Sequence, residues 1–264
     1  KSERSFNVAD LDQVESDSNV QGRYSLHVHR VGVSDPDDPA MLVGNAVWGS
    51  PGWGFVHHDS NAVFADNAAY DTFGAGFVAE TGNEIGRWVH NISIKTIGTG
   101  GGPKWHEDVD AFDLARTGAN FWFQGRLVDS VDNVAAGSPG GHGFVYMSRG
   151  NGMIDVTTAT ADFPETLHYY ETALVNQPHI SQFEGNEAIA VRVGLEVIKG
   201  GPQQGHDART MIDDFLAWEV ANGVHLQYTA HYTLKDIDVI GSSQKGGGIA
   251  GQQGISYGTA AFDL

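Results

Sequence analysis

Apolar residues along the chain fall in short runs broken by glycine, asparagine or aspartate, and the runs repeat. Residues 45–56 read NAVWGSPGWGFV and residues 67–78 read NAAYDTFGAGFV. Asn45 aligns with Asn67, Trp48 with Tyr70, Gly54 with Gly76, Phe55 with Phe77 and Val56 with Val78, an offset of 22 residues. A third copy, NVAAGSPGGHGFV, runs from Asn133 to Val145 with one extra glycine, and weaker copies lie at Asn186–Glu196 and Phe215–Gln227. No run reaches the 10–12 residues of a helix. A period near 22 with two or three strands in it is one coil of a parallel β-helix, and roughly eight or nine coils fit the chain. The pattern predicts an all-β fold, a single-stranded right-handed parallel β-helix with long loop insertions, occupying residues 1–264 as one domain.

Side-chain alternation along each strand sets which residues face the core. Phe55, Phe77 and Phe144 are expected to stack inside, with Val56 and Val78 pointing outward. The recurrent Asn45, Asn67, Asn133 and Asn186 suit a ladder of side-chain amides bonded from coil to coil. Trp48, Tyr70 and Trp218 share one repeat position and read as core or stacked scaffold. Asn91 opens an Asn-Ile-Ser glycosylation sequon by pattern. Three stretches break the period: Gly98–Gly118, Met147–Gln182, with short helical content expected near Pro164–Leu174, and Lys199–Arg209.

The same alternation gathers chemistry on the outside. Leu26 takes the place of Phe55 one coil earlier, so His29 stacks on His58, and the 22-residue offset stacks His58 on Glu80. His27 lies beside them, and Gln124 and Gln227 continue the column. His27, His29, His58 and Glu80 are candidate ligands of a divalent ion, zinc or calcium. His58 and Glu80 are equally an acid/base pair, with Asp108 and Asp110 of the first insertion as further catalytic carboxylates. A solvated polar ladder is the third reading, and the residues alone leave all three open. Trp105, Trp122, Gln124 and Arg30 are candidate substrate contacts, and Trp53 and Tyr70 are alternative stacking platforms.

Composition narrows the partners. Asp and Glu outnumber Lys and Arg 33 to 15, for a formal charge of -18. No basic cluster exists to neutralise a nucleic-acid backbone. An anionic polymer would need a bound cation to bridge it to this surface. The absence of cysteine removes disulfides, thiolate metal sites and a Cys nucleophile. No apolar stretch is long enough to span a membrane. The N-terminal residues lack an apolar signal core, so a processed form or a fragment of a longer secreted or cell-surface protein is expected.

The stretches GRYSLHVHRVG, GWGFVHHDS, NAAYDTFGAGFVAETGNE, ANFWFQG and NVAAGSPGGHGFV together resemble the β-helix region of the cell-migration-inducing hyaluronan-binding proteins and their bacterial relatives. The resemblance covers residues 22–150 and, more weakly, 180–242. It implies a right-handed β-helix, an extracellular location, and a polysaccharide such as hyaluronan as the partner, either cleaved by hydrolase or lyase chemistry or held by a non-catalytic adhesive module. The matched positions are His27, His29, Glu80, Glu84 and Trp122. The chain departs from that family in lacking its cysteines and in reading Glu-Thr-Gly at Glu80–Gly82 where the family has Glu-Asp-Gly.

Overall fold

The structure is a computed structural model that describes residues 6–7, 10–14, 24–33, 35, 37–50, 52–97, 118–148, 153–155, 172–198, 208–227, 229, 231–241 and 255–257. Nineteen strands form one sheet, and the pairings within it are parallel. No helix occurs among the described residues. The sheet winds as a parallel β-helix with three faces.

Eight strands stack in register on the first face: Leu26–Gly32, Phe55–Ala65, Phe77–Ala79, Phe121–Phe123, His142–Tyr146, Val193–Ile198, Asn222–Gln227 and Ile255–Tyr257. We number these rungs 1 to 8. The expected alignment holds: Leu26 pairs with Phe55 and Phe55 with Phe77. Phe121 enters between Phe77 and Phe144. The four rings stack inside at centroid spacings of 4.6, 4.9 and 4.9 Å. A glycine precedes three of these phenylalanines for a steric reason. A Cβ on Gly54 would lie 2.5 Å from the Gly76 carbonyl oxygen, and one on Gly143 would lie 2.7 Å from the Gly194 carbonyl oxygen.

The second face includes Ala40–Val43, Ile85–Val89 and Val128–Val131, and the third Ala46–Trp48, Ala68–Thr72, Ile92–Thr96, Val134–Ala136 and Glu187–Ile189. At the corner between them a left-handed residue precedes each asparagine: Gly44, Asp66, His90, Asp132 and Gly185, with φ of 69°, 56°, 54°, 53° and 65°. That turn aims the asparagine side chain along the stack. Each Oδ1 accepts from the amide of the preceding rung, at 3.1 Å for Asn45 to Asn67, 3.0 Å to Asn91, 2.9 Å to Asn133 and 3.3 Å to Asn186. Asn91 is therefore a ladder member with no exposed surface, and the sequon there is closed to glycosylation in the folded chain.

Two assignments of side-chain direction change. Val56 and Val78 do turn away from the phenylalanine stack, but they are buried in a second apolar cluster with Trp53, Trp122 and Val145. Trp48, Tyr70 and Trp218 are on the outside, 80%, 45% and 47% exposed. Their shared position belongs to the outward side of the third face, where Trp48 pairs with Tyr70. Near the expected helical stretch, Thr172–Leu174 is a strand paired antiparallel with Met153–Asp155.

Candidate functional site

The register that stacks the phenylalanines inside also stacks the imidazoles outside. His27 lies opposite Val56 and His29 opposite His58. His57 lies opposite Ala79, which sets Glu80 beside His58. Two outward columns, two residues apart along the strands, thus meet over rungs 1 to 3. His29 Nδ1 is 3.3 Å from His27 Nε2 and 3.1 Å from His58 Nδ1. Glu80 Oε2 is 3.1 Å from His58 Nδ1 and 3.8 Å from His27 Nε2. One ligand atom from each of the three histidines lies within 4.8 Å of the other two. An ion ~2.0–2.1 Å from each nitrogen at tetrahedral angles would hold them about 3.3 Å apart.

Burial favours the neutral form of His27 and His58. Burial, reinforced by the charges of His29 and His58, lowers the His27 pKa to about 4. Burial also lowers His58, against an opposing pull from Glu84. Directly behind the site, the inward His57 has no exposed surface and its Nε2 lies 2.7 Å from the Ser60 carbonyl oxygen. Burial takes its pKa to about 4.

Glu84 fixes the geometry from below. Its Oε1 accepts from the backbone N–H of Asp59 at 3.0 Å and of Thr81 at 2.7 Å, and its Oε2 from Gly82 at 2.7 Å. One buried carboxylate thereby ties the residue after His58 to the turn after Glu80. Burial raises its pKa despite those donors. Tyr24 donates its hydroxyl to Glu80 Oε1 at 3.4 Å. Gln124 lies in the column, as expected, but is buried and donates to the Glu80 carbonyl, which makes it a brace. Arg30 is exposed, with Nε 3.8 Å from Asp59 Oδ2. Trp122 is wholly buried, edge-on to Trp53, with Nε1 donating to the Met147 carbonyl at 2.9 Å. No sugar can stack on it in this packing, so it is a core residue and not a substrate contact. Trp105, Asp108 and Asp110 lie outside the described residues.

A second group on the same face was not visible in the sequence. Glu196 on rung 6 and His225 on rung 7 are register partners. Glu196 Oε1 is 3.0 Å from His225 Nδ1, and its Oε2 is hydrogen-bonded to His142 Nε2 on rung 5. Burial pushes the Glu196 pKa up, but the hydrogen bonds and charges of His142 and His225 outweigh it and set the value at about 2. Here the carboxylate is central and each imidazole addresses a different oxygen. The side chains are 4%, 9% and 27% exposed for His142, Glu196 and His225. The buried apolar cluster of Val56, Val78, Trp122 and Val145 separates the two groups.

The CEMIP β-helix family model matches residues 2–195. The chain belongs to the CEMIP β-helix family. The match contains the three histidines, Glu80, Glu84, His142 and the whole asparagine ladder, and it ends one residue before Glu196. No curated protein matches the chain.

Proposed function

We propose that this β-helix is a secreted or cell-surface polysaccharide-cleaving enzyme whose site is the His27, His29, His58 and Glu80 group on the outer first face. The observation that supports it is the convergence of three imidazole nitrogens at 3.1 and 3.3 Å, with a carboxylate oxygen 3.1 Å away on the next rung. Three nitrogens and one carboxylate are donors for zinc or a similar transition ion; calcium takes six to eight oxygens. In this reading His27, His29 and His58 hold the ion, and Glu80 either completes the set or moves the proton. Such an ion supplies Lewis-acid polarisation of a sugar oxygen or of water. Glu84 and Tyr24 act only by positioning His58 and Glu80. Glycan attachment without cleavage is the rival.

A panel of defined polysaccharides, incubated with and without chelator, tests the proposal by product size and by absorbance of an unsaturated sugar. Chain shortening that chelation stops and zinc restores is the expected result, and the absorbance separates elimination from hydrolysis. Shortening indifferent to chelator would remove the metal from the reading. Retention of a glycan with no shortening would make the protein a binding module.

A further inference from the structure

The third face carries an exposed apolar strip that the site on the first face does not use. On a solvated face, outward positions are ordinarily polar. Here one outward column runs Trp48, Tyr70, Ile94, Ala136, Ile189, Trp218, each paired with the next. Ile240 continues it at 51% exposure. The neighbouring outward column, beginning at Ala46 and Ala68, is aliphatic over the same six rungs apart from Glu187, and reaches Asp238 beside Ile240. Both ends of the six-rung strip present an indole, Trp48 at 80% and Trp218 at 47% exposure.

The strip is long, straight and narrow. Five rung spacings make it about 24 Å long, and two outward positions on one strand lie about 7 Å apart. That is on the order of 200 Å², against about 800 Å² per partner in a stable protein interface. Its edges are charged. Along one edge Asp66, His90 and Asp132 stack, with His90 Nδ1 3.8 Å from Asp66 and Nε2 3.2 Å from Asp132. Along the other, Asp71 pairs with Lys95 at 3.4 Å, and Glu219 takes the equivalent left-handed corner further on. Carboxylates outnumber basic side chains along each edge, Asp66 and Asp132 against His90 on the first and Asp71 and Glu219 against Lys95 on the second, where Gly49, Gly137 and Ala190 are uncharged. A second copy of this chain, at a formal charge of -18, would meet the same acidic edges and be repelled.

We infer that the third face is a binding platform for an extended polysaccharide carrying free amino groups. The sugar rings would lie along the strip, their apolar faces on Trp48, Tyr70 and Trp218. The ammonium groups would face Asp66, Asp132 and Glu219. Width, straightness, planar aromatics and acidic edges agree on a polycationic ribbon one sugar wide. The inference does not depend on catalysis at the first face.

The test is titration of the whole chain with a glucosamine hexasaccharide, its N-acetylated counterpart and a hyaluronan oligosaccharide, followed by calorimetry and tryptophan fluorescence. The free-amine oligomer should bind with a fluorescence change, and both others should bind at least tenfold more weakly. Trp48→Ala and Trp218→Ala are exposed changes that leave the fold intact by circular dichroism, and each should weaken binding about tenfold. His58→Ala should leave this binding unchanged, which separates failure here from failure of the proposed enzyme. No binding of the free-amine oligomer, or binding that both tryptophan variants retain, would overturn the inference. So would reversible self-association in sedimentation that Trp48→Ala abolishes, because the strip would then belong to a second copy.

Discussion

The first face carries two histidine–glutamate groups about four rungs, or ~19 Å, apart, and they are built in opposite ways. Over rungs 1 to 3 the imidazoles form the centre: His29 Nδ1 is within 3.3 Å of His27 Nε2 and 3.1 Å of His58 Nδ1, with Glu80 at the side. Over rungs 5 to 7 the carboxylate forms the centre, and His142 and His225 each bind a separate oxygen of Glu196. Converging ring nitrogens are what the proposed cation would need. A carboxylate already satisfied from both sides makes a lock that joins three rungs. The residue types are nearly the same; which group occupies the middle decides the difference.

Removing the central group of the lock should have the largest effect. Glu196→Ala leaves two imidazoles without their carboxylate, and breaking a buried pair from one side costs about 3–5 kcal/mol. The denaturation midpoint measures it. A loss below ~1 kcal/mol would mean that the lock contributes little stability and that the comparison overstates it.

Acid should then separate the two ends into two pH windows. His27 and His57 have folded pKa values lowered to about 4. The unfolded chain takes up protons on these rings below the ordinary 6.5, while the folded chain resists them until about 4. Stability contributed here is present above that window and lost as pH falls through it. For the fully buried His57 the loss is about 3 kcal/mol; the more exposed His27 adds less. Glu196 is lowered from 4.5 to about 2, so its stabilisation is present above 4.5 and lost as pH falls toward 2, again about 3 kcal/mol. Urea melts across pH should show the upper loss in the parent and in Glu196→Gln. The lower loss should be smaller in Glu196→Gln by about that amount. An unchanged lower loss in the variant would remove Glu196 from the acid response.

His58→Ala should lower zinc retention at least ~100-fold, about 2.7 kcal/mol, because one of the three ring nitrogens that would hold the ion is gone. The melting temperature of the metal-free protein should move by only a few degrees, since the outward ring lies outside the phenylalanine core and contributes little to its packing. Metal content after gel filtration checks it, and full retention would reduce the group to a polar ladder.

The sequence carried this first group because it needs only local information. The 22-residue offset and the Leu26–Phe55 alignment fix the register, and alternation does the rest. Asn91 escaped because it stands 24 residues after Asn67 and 42 before Asn133, off the period, and because a sequon pattern says nothing of burial. The lock escaped for a related reason. His142, Glu196 and His225 are 54 and 29 residues apart, with irregular insertions between them. Trp48, Tyr70 and Trp218 differ for another reason. Their shared position is legible from the repeat, but an exposed apolar column has the same periodicity as a core, so the period alone does not tell which side of the strand is buried.

Glu80→Gln is the finest division of the first group, and the smallest in binding. The substitution keeps shape and one oxygen, so the hydroxyl of Tyr24, 3.4 Å from Oε1, retains an acceptor. Only the charge near His58 and His27 is removed. On the proposed reading three imidazoles would still hold an ion, and losing a supporting carboxylate costs about 10–100-fold in affinity, here toward the low end. Proton transfer responds differently, because an amide has no basic oxygen. If Glu80 moves the proton, cleavage at saturating zinc should fall by ~10²–10⁴, well beyond the loss of affinity. Cleavage falling only in step with metal occupancy would make Glu80 a ligand and nothing more. Measuring zinc affinity and polymer cleavage on the same preparation decides between the two.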